Sequence, residues 1–337
     1  MSISVARAGG SHRDLGRAQG EAFGEAIGAA LLLYAEAAER AGDDLEAIGQ
    51  RTRPYADAAR SRVPHLVEEV EGIAEGARVA IDEAWALNCI EEVWPSEACV
   101  SMVSGHLFMH AEQWYAGHPV GIVMAEPDDG PSFTSPTCVG FLPAVGLSAA
   151  GFALGVDSLH TTDDRVGVPR VLVSRSALGA SDVEGLIRAA CMDGRAGGYA
   201  YLIGTLDGST ALETSATREA VLDAVTAHTN HPLSSQLKGV TADPSAGSRA
   251  RLLRAEELLA NAPPTDLSDC ARLLADHLSA PQTVCLHEDG PDASGTVFGM
   301  ACDLATGQMI VSDGPPCEGR WEEFSLKRRQ AAEHVVG

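Results

Sequence analysis

Lysine is almost missing from this chain, occurring only at positions 238 and 327. Lysine and arginine together number 24 against 47 acidic residues, a net charge of −23. So little positive charge argues against nucleic acid, whose phosphates need a Lys/Arg footprint, and against anionic membrane surfaces. A solvated acidic surface that favours solubility accounts for the charge. Long hydrophobic runs are also missing: none approaches the ~20 residues that span a bilayer. Met1 to Arg7 carry no apolar signal-peptide segment, so a cytoplasmic protein is expected. The eight cysteines, at 89, 99, 138, 191, 270, 285, 302 and 317, show no C-x-x-C and no compact spacing. They read as reduced thiols, most of them small buried apolar residues, rather than a disulfide framework. No G-x-G-x-x-G follows a strand and no G-x-x-x-x-G-K-[ST] occurs, so no nucleotide cofactor is supported.

What the chain does have is a change of period near its first third. With 337 residues and 45% hydrophobic content it has ample material for a core, in one large domain or two. Phe23, Ile27, Leu31 and Tyr34 recur at helical spacing over 21–42. Residues 43–79 read as one or two further helices, with Pro54 and Pro64 as breaks or first turns and an apolar stripe of Val67, Val70, Ile73 and Ala74. Asp82 is placed to cap a short helix through Ala84, Leu87, Ile90 and Val93, which Pro95 stops. From Cys99 onward short apolar runs alternate with turn residues. Segments 100–103, 107–110, 120–125, 140–146, 151–156, 199–205 and 210–214 read as strands, with a hairpin turn at Leu206-Asp207-Gly208-Ser209. Helices are expected from Ser181-Asp182-Val183-Glu184 to about Cys191, over 248–260 and over 268–278. A late hairpin joins 296–303 to 308–312. Sheet, then helices, then sheet points to an α+β layered sandwich rather than alternating βαβ units.

Cys99 stands at this switch, heading the first strand. If the Ala98–Cys99 bond were cut, the thiol would carry a free α-amino group on its own residue as a base, the arrangement of an N-terminal-nucleophile (Ntn) hydrolase. The competing reading of Cys99 alone is a buried structural thiol. Elsewhere, Gly146-Leu147-Ser148-Ala149-Ala150 falls one glycine short of a serine nucleophile elbow. His228-Thr229-Asn230-His231 offers two histidines but no matching third or fourth metal ligand, so packing or hydrogen bonding beside Asn230 is the better reading.

Taken in order, several short segments resemble one family. They are Gly16-Arg17-Ala18-Gln19-Gly20, Glu97-Ala98-Cys99-Val100-Ser101, His110-Ala111-Glu112-Gln113-Trp114, Gly140-Phe141-Leu142-Pro143 with Gly146 to Gly151, Gly167-Val168-Pro169-Arg170 with Arg175, His228 to His231, and Gly314-Pro315-Pro316-Cys317. Each is weak alone, but their shared order over almost the whole chain resembles the acyl-CoA:6-aminopenicillanic acid acyltransferase family, the isopenicillin-N acyltransferase-like cysteine Ntn hydrolases.

That resemblance implies a four-layered αββα Ntn fold and a precursor that cuts itself into an α chain (1–98) and a β chain (99–337), which stay together as a heterodimer within one globular domain. It implies a Cys99 thioester that passes an acyl group to an amine or to water, with an acyl-CoA or acyl-carrier thioester as substrate rather than cofactor, and a place in bacterial secondary metabolism. Asn230 corresponds to the oxyanion-hole donor, and Arg251 to a supporting arginine in the related choloylglycine hydrolases. Gln113 stands where the family's Asp orients the new amino group. Trp114, Ser148, Asp157 and Arg170 are the expected substrate contacts. Ala111 and Ser148 replace family asparagines, and Leu286 stands where many members carry an Arg, which weakens the case for a penicillin substrate. An acyltransferase, an amidase acting on a small N-acyl amide, and an inactive Ntn-fold binding protein all remain open on the sequence. So does an ordinary hydrolase with its nucleophile elsewhere.

Overall fold

A computed structural model describes residues 2–94, 99–278, 283–287 and 293–326. The chain begins with a strand that its sequence does not announce, β1 (Ser4–Gly10), followed by α1 (His12–Arg40), α2 (Leu45–Arg62), α3 (Pro64–Ala77), α4 (Ile81–Asn88) and α5 (Ile90–Val93). Ser11 and Asp14 form a reciprocal capping box that starts α1 well before the apolar stripe at 21–42. Pro64 occupies the first turn of α3, where its missing N–H costs nothing. Asp82 is not the cap expected of it. Ala80 holds that position, with the Glu83 side chain accepting from its N–H, and Asp82 falls in the first turn of α4.

Gly16 and Gly20 of α1 meet Gly72 and Gly76 of α3. A Cβ on Gly16 would lie 1.9 Å from the Glu69 carbonyl oxygen, and one on Gly72 2.3 Å from that of Arg13. The glycine pair of the N-terminal motif therefore serves helix packing, letting two backbones touch.

Next come β2 (Cys99–Ser104), β3 (Leu107–Tyr115), β4 (Val120–Pro127), β5 (Phe133–Cys138), β6 (Gly146–Ser148) and β7 (Phe152–Ser158). Residues 140–145, expected as strand, form a turn instead; Gly140 sits at φ +95° and the Phe141 N–H closes on the Cys138 carbonyl. Helices α6 (Arg170–Leu178) and α7 (Val183–Ala190) lead to β8 (Tyr199–Thr205), β9 (Gly208–Thr214), β10 (Glu219–Asp223) and β11 (Ala227–His228). The chain continues through α8 (Ala246–Asn261), α9 (Leu267–Leu274), β12 (Ser294–Asp303), β13 (Gln308–Ser312) and β14 (Trp321–Ser325).

The strands form two sheets. One has the order β1-β4-β5-β6-β7-β8-β9-β10 and the other β11-β2-β3-β12-β13-β14. Among the described residues the only parallel strand pair in these sheets is β1 with β4. Phe23, Ile27, Val70 and Ile73 of α1 and α3 pack on the larger sheet together with Ile122. Leu252, Ala255, Cys270 and Leu274 of α8 and α9 cover the smaller sheet through Val100, Met102, Met109 and Ala111. The sheets face each other: a Cβ on Gly155 of β7 would lie 2.6 Å from Ser101 Oγ and 3.0 Å from His110 Nδ1 of β2 and β3. Helix, sheet, sheet, helix is the αββα sandwich expected from the resemblance.

The two halves of the chain are tied across these layers. Buried Arg175 of α6 donates through Nε to Glu69 of α3 at 2.9 Å and lies 4.6 Å over the Phe133 ring. His12 binds the other Glu69 oxygen at 2.6 Å. The second arginine of the Gly167–Arg175 motif is thus a clamp between 1–98 and the rest. No helix among the described residues is long and apolar enough to cross a membrane.

Candidate active site

The β2–β3 hairpin builds the site. Its two-residue turn, Gly105-His106, sets a register in which Cys99 pairs with Glu112, Ser101 with His110 and Val103 with Phe108. Side chains alternate along a strand, so Cys99, Ser101, His110, Glu112 and Trp114 all face the space between the sheets. Val100, Met102, Met109, Ala111 and Gln113 face α8 and α9.

Cys99 is buried, at the first position of β2. Its Sγ is 3.5 Å from Glu112 Oε1 and 4.0 Å from the backbone carbonyl of Gln113. Its backbone N–H donates to Asn230 Oδ1 at 3.0 Å. Arg251 Nη2 donates to the same oxygen at 2.7 Å, and Asn230 Nδ2 donates to the Ser158 carbonyl at 3.1 Å. Two donors on one end and a carbonyl on the other fix which way the amide points. Burial, then the charges of Glu112 and Asp157, push the Cys99 thiol well above its ordinary pKa. The thiol therefore stays protonated at neutral pH.

A ladder of buried polar groups runs back from Glu112. His110 joins Glu112 Oε2 through Nε2 at 3.1 Å and Ser101 Oγ through Nδ1 at 2.9 Å. Asp157 follows on β7, 3.9 Å from His228 Nδ1, and His228 Nε2 joins Glu213 at 2.9 Å. Burial lifts Asp157 to about 6 against the pull of His228 and His110. Burial opposes the charge of His228, but Glu213 and Asp157 hold its pKa above the ordinary value.

In front of Cys99 lies a cavity of about 50 Å³. Its apolar walls include Pro136, Phe141, Leu142, Val145, Val156 and Phe298; among the described residues Glu91 and Glu112 are its carboxylates and no lysine or arginine lines it. Glu91 accepts from Ser158 Oγ at 2.8 Å and from the Tyr199 hydroxyl. Burial lifts it to about 7, with Arg170 acting against the rise.

Of the residues singled out by sequence, Cys99, Asn230 and Arg251 come together. Ala98 lies outside the described residues. The Gln113 side chain does not reach Cys99: it is on the other face of β3, where its Nε2 donates to the carbonyls of Val284 at 2.7 Å and Thr283 at 3.3 Å. The carboxylate beside Cys99 is its neighbour Glu112, which the sequence reading passed over. Trp114 stands behind the wall, donating to the Tyr34 hydroxyl and packed edge-on against Phe141 at 5.8 Å. Ser148 accepts from the Ala150 N–H in the turn after β6 and does not line the cavity. Asp157 belongs to the ladder rather than the cavity wall. Arg170 is held by Glu92 at 3.3 Å and by Asp164; burial opposes its charge, yet these carboxylates push its pKa up. Its guanidinium is thus occupied within the protein and does not line this cavity. His231 bonds Ser248 Oγ at 2.7 Å, so the paired histidines act through hydrogen bonds.

The chain is a four-layered αββα sandwich with a cysteine heading an interior strand of the smaller sheet, its nitrogen and sulfur both turned toward polar partners. Residues 114–315 match the acyl-coenzyme A:6-aminopenicillanic acid acyl-transferase family, and the chain belongs to that family. Among solved structures it is similar to a mutant conjugated bile acid hydrolase from Clostridium perfringens, at 12% identity and TM-score 0.46, covering 71% of this chain and 99% of that one. It is also similar to penicillin V acylase from Agrobacterium tumefaciens, at 12% identity and TM-score 0.39, covering 64% of this chain and 82% of that one. No curated protein matches the chain.

Proposed function

We propose that this protein is a self-processing cysteine acyltransferase that forms an amide from an acyl thioester through a Cys99 acyl-enzyme. The observation that carries the reading is the double hold on Cys99, with its nitrogen on Asn230 and its sulfur 3.5 Å from Glu112. In the uncut chain the thiol proton passes to the Glu112 carboxylate as Sγ attacks the carbonyl carbon of Ala98. The C–N bond then breaks, the nitrogen takes a proton, and a thioester joins Ala98 to Cys99. Water cleaves the thioester, leaving a carboxylate on 1–98 and a free thiol and amine on Cys99.

In the cut enzyme the α-amino group, with a reference pKa of roughly 7.7–8.0, takes over as base. Asn230 keeps that nitrogen beside the thiol. Its Nδ2 carries a second hydrogen with no acceptor among the described residues, available to a tetrahedral oxyanion; losing such a donor typically costs about 10²–10³ in rate. The apolar walls fit a narrow apolar acyl chain, and two carboxylates with no cation beside them among the described lining residues disfavour an acceptor bearing a carboxylate. An amine in place of water distinguishes transfer from hydrolysis.

Intact-mass spectrometry tests the reading. Two fragments that part between Ala98 and Cys99 and co-elute until denatured are expected, with Cys99→Ala leaving one chain and no turnover of an acyl thioester. An uncut wild type that still turns over after Cys99→Ala would sink it. Amide product with an added amine, against free acid alone, separates the transferase from an amidase.

A further inference from the structure

Outside the Cys99 site, three distant stretches of chain bring four metal-ligating side chains to one point. His277 lies just past α9, Cys285 and His287 lie in the segment 283–287, and Cys317 sits in a short 3₁₀ turn, Pro316–Glu318, after β13. One ligand atom from each residue falls within 4.8 Å of all the others. Cys285 and His287 are two positions apart, and the bend at 284–285 leaves Cys285 Sγ 3.5 Å from His287 Nε2. We propose that His277, Cys285, His287 and Cys317 form a structural zinc site.

The geometry fits tetrahedral coordination. With Zn–S near 2.3 Å and Zn–N near 2.0–2.1 Å, the edges of the tetrahedron run from about 3.3 to 3.8 Å. His287 Nε2 lies 3.5 Å from Cys285 Sγ and 3.2 Å from Cys317 Sγ, close to such sulfur–nitrogen edges. The rings of His277 and His287 lie side by side, 5.2 Å between centroids and 24° apart. Two thiolates and two imidazoles form a soft, fully occupied ligand set, which favours zinc over the oxygen-seeking cations and leaves no open position for catalysis.

The surroundings hold the ligands in place before any ion arrives. The Cys285 N–H donates to the Asp276 carbonyl at 3.0 Å, Thr283 Oγ1 to the Cys285 carbonyl at 2.6 Å, and the Leu286 N–H to Thr296 Oγ1 at 2.8 Å. An ion here would staple the end of α9, the 283–287 segment and the turn after β13 over one edge of β12. Its influence extends to β3, the strand paired with that of Cys99, because Gln113 of β3 is anchored on the Thr283 and Val284 carbonyls.

The test is metal content. Tag-free protein expressed in zinc-supplemented medium should carry about one zinc per chain, and His287→Ala and Cys317→Ser should each fall below about a fifth of that. Cys191→Ser, outside the cluster, should keep its zinc. If the cluster variants do not fold, cobalt(II) added to chelator-stripped wild type carries the test, because two thiolate ligands produce a near-ultraviolet charge-transfer band together with tetrahedral visible bands. Wild type holding less than about a tenth of an ion per chain, with no such bands, overturns the proposal. So does a Cys285–Cys317 disulfide found by alkylation without reductant in fresh, metal-free protein.

Discussion

Glu91 offers the most quantitative perturbation of the site. It lies in α5, on the cavity wall, under the Tyr199 and Ser158 hydroxyls and beside Arg170 and Glu92. Burial raises its pKa from 4.5 to about 7. Between those values the folded chain keeps a proton that the unfolded chain has lost. This contribution to stability is therefore fully present below pH 4.5 and is lost as pH rises through 7. The complete displacement corresponds to about 3 kcal/mol, of which about 2.5 kcal/mol falls between pH 5 and pH 8. Glu91→Gln keeps the shape and removes the titration. Made in a Cys99→Ala background, so that one whole chain unfolds, it should gain about 2.5 kcal/mol on its parent between pH 5 and pH 8, read from urea denaturation at each pH. Comparing two pH values cancels the pH-independent cost of changing the hydrogen bonds to Tyr199 and Ser158. Parallel stability profiles for parent and variant would refute the reasoning, because they would mean that Glu91 ionises as if solvated and the cavity is wet.

The remaining predictions concern the cut and the clamp. Glu112→Gln removes the carboxylate beside Sγ and should slow self-processing by about 10²–10⁴, followed by mass spectrometry of freshly purified precursor; unchanged kinetics would take the base role from Glu112. Arg175→Met leaves Glu69 buried without its arginine and should cost about 3–5 kcal/mol in urea. A cost below about 1 kcal/mol would show that His12 alone satisfies that carboxylate.

The helical first third, the switch at Cys99 and the late hairpin were legible because each rests on local periodicity and turn chemistry. β1 was not: Ser-Val-Ala-Arg-Ala-Gly-Gly has little alternation, and its strand state depends on pairing with β4, more than a hundred residues away. Residues 140–146 carry strand-like composition, but the positive φ at Gly140 turns the chain there. Trp114 and Arg170 matched motif positions, yet a match cannot tell a residue that touches substrate from one that braces a wall or neutralises buried carboxylates. The zinc ligands escaped because Cys-x-His and a distant Cys and His have no recognisable spacing until β12 and the turn after β13 bring them together.

The position of the carboxylate at Cys99 turns on one residue of register. Motif comparison puts the expected acid at 113, where the chain has Gln. A two-residue turn at Gly105-His106 places Cys99 opposite Glu112 and sends Gln113 to the far face of the sheet. A carboxylate is thus present, one position earlier, and after burial its charge is the largest influence keeping the thiol protonated. After the proposed cut the opposite need arises, for a neutral amine at Cys99. Arg251 stands behind it: its guanidinium donates to the same Asn230 oxygen that holds the Cys99 nitrogen, and its positive charge would act against an ammonium there, opposite to the pull of Glu112. On the proposed mechanism, Glu112 and Arg251 would act on the two halves of one residue: the carboxylate would receive the thiol proton before the cut, and the guanidinium would disfavour an ammonium on the nitrogen afterwards.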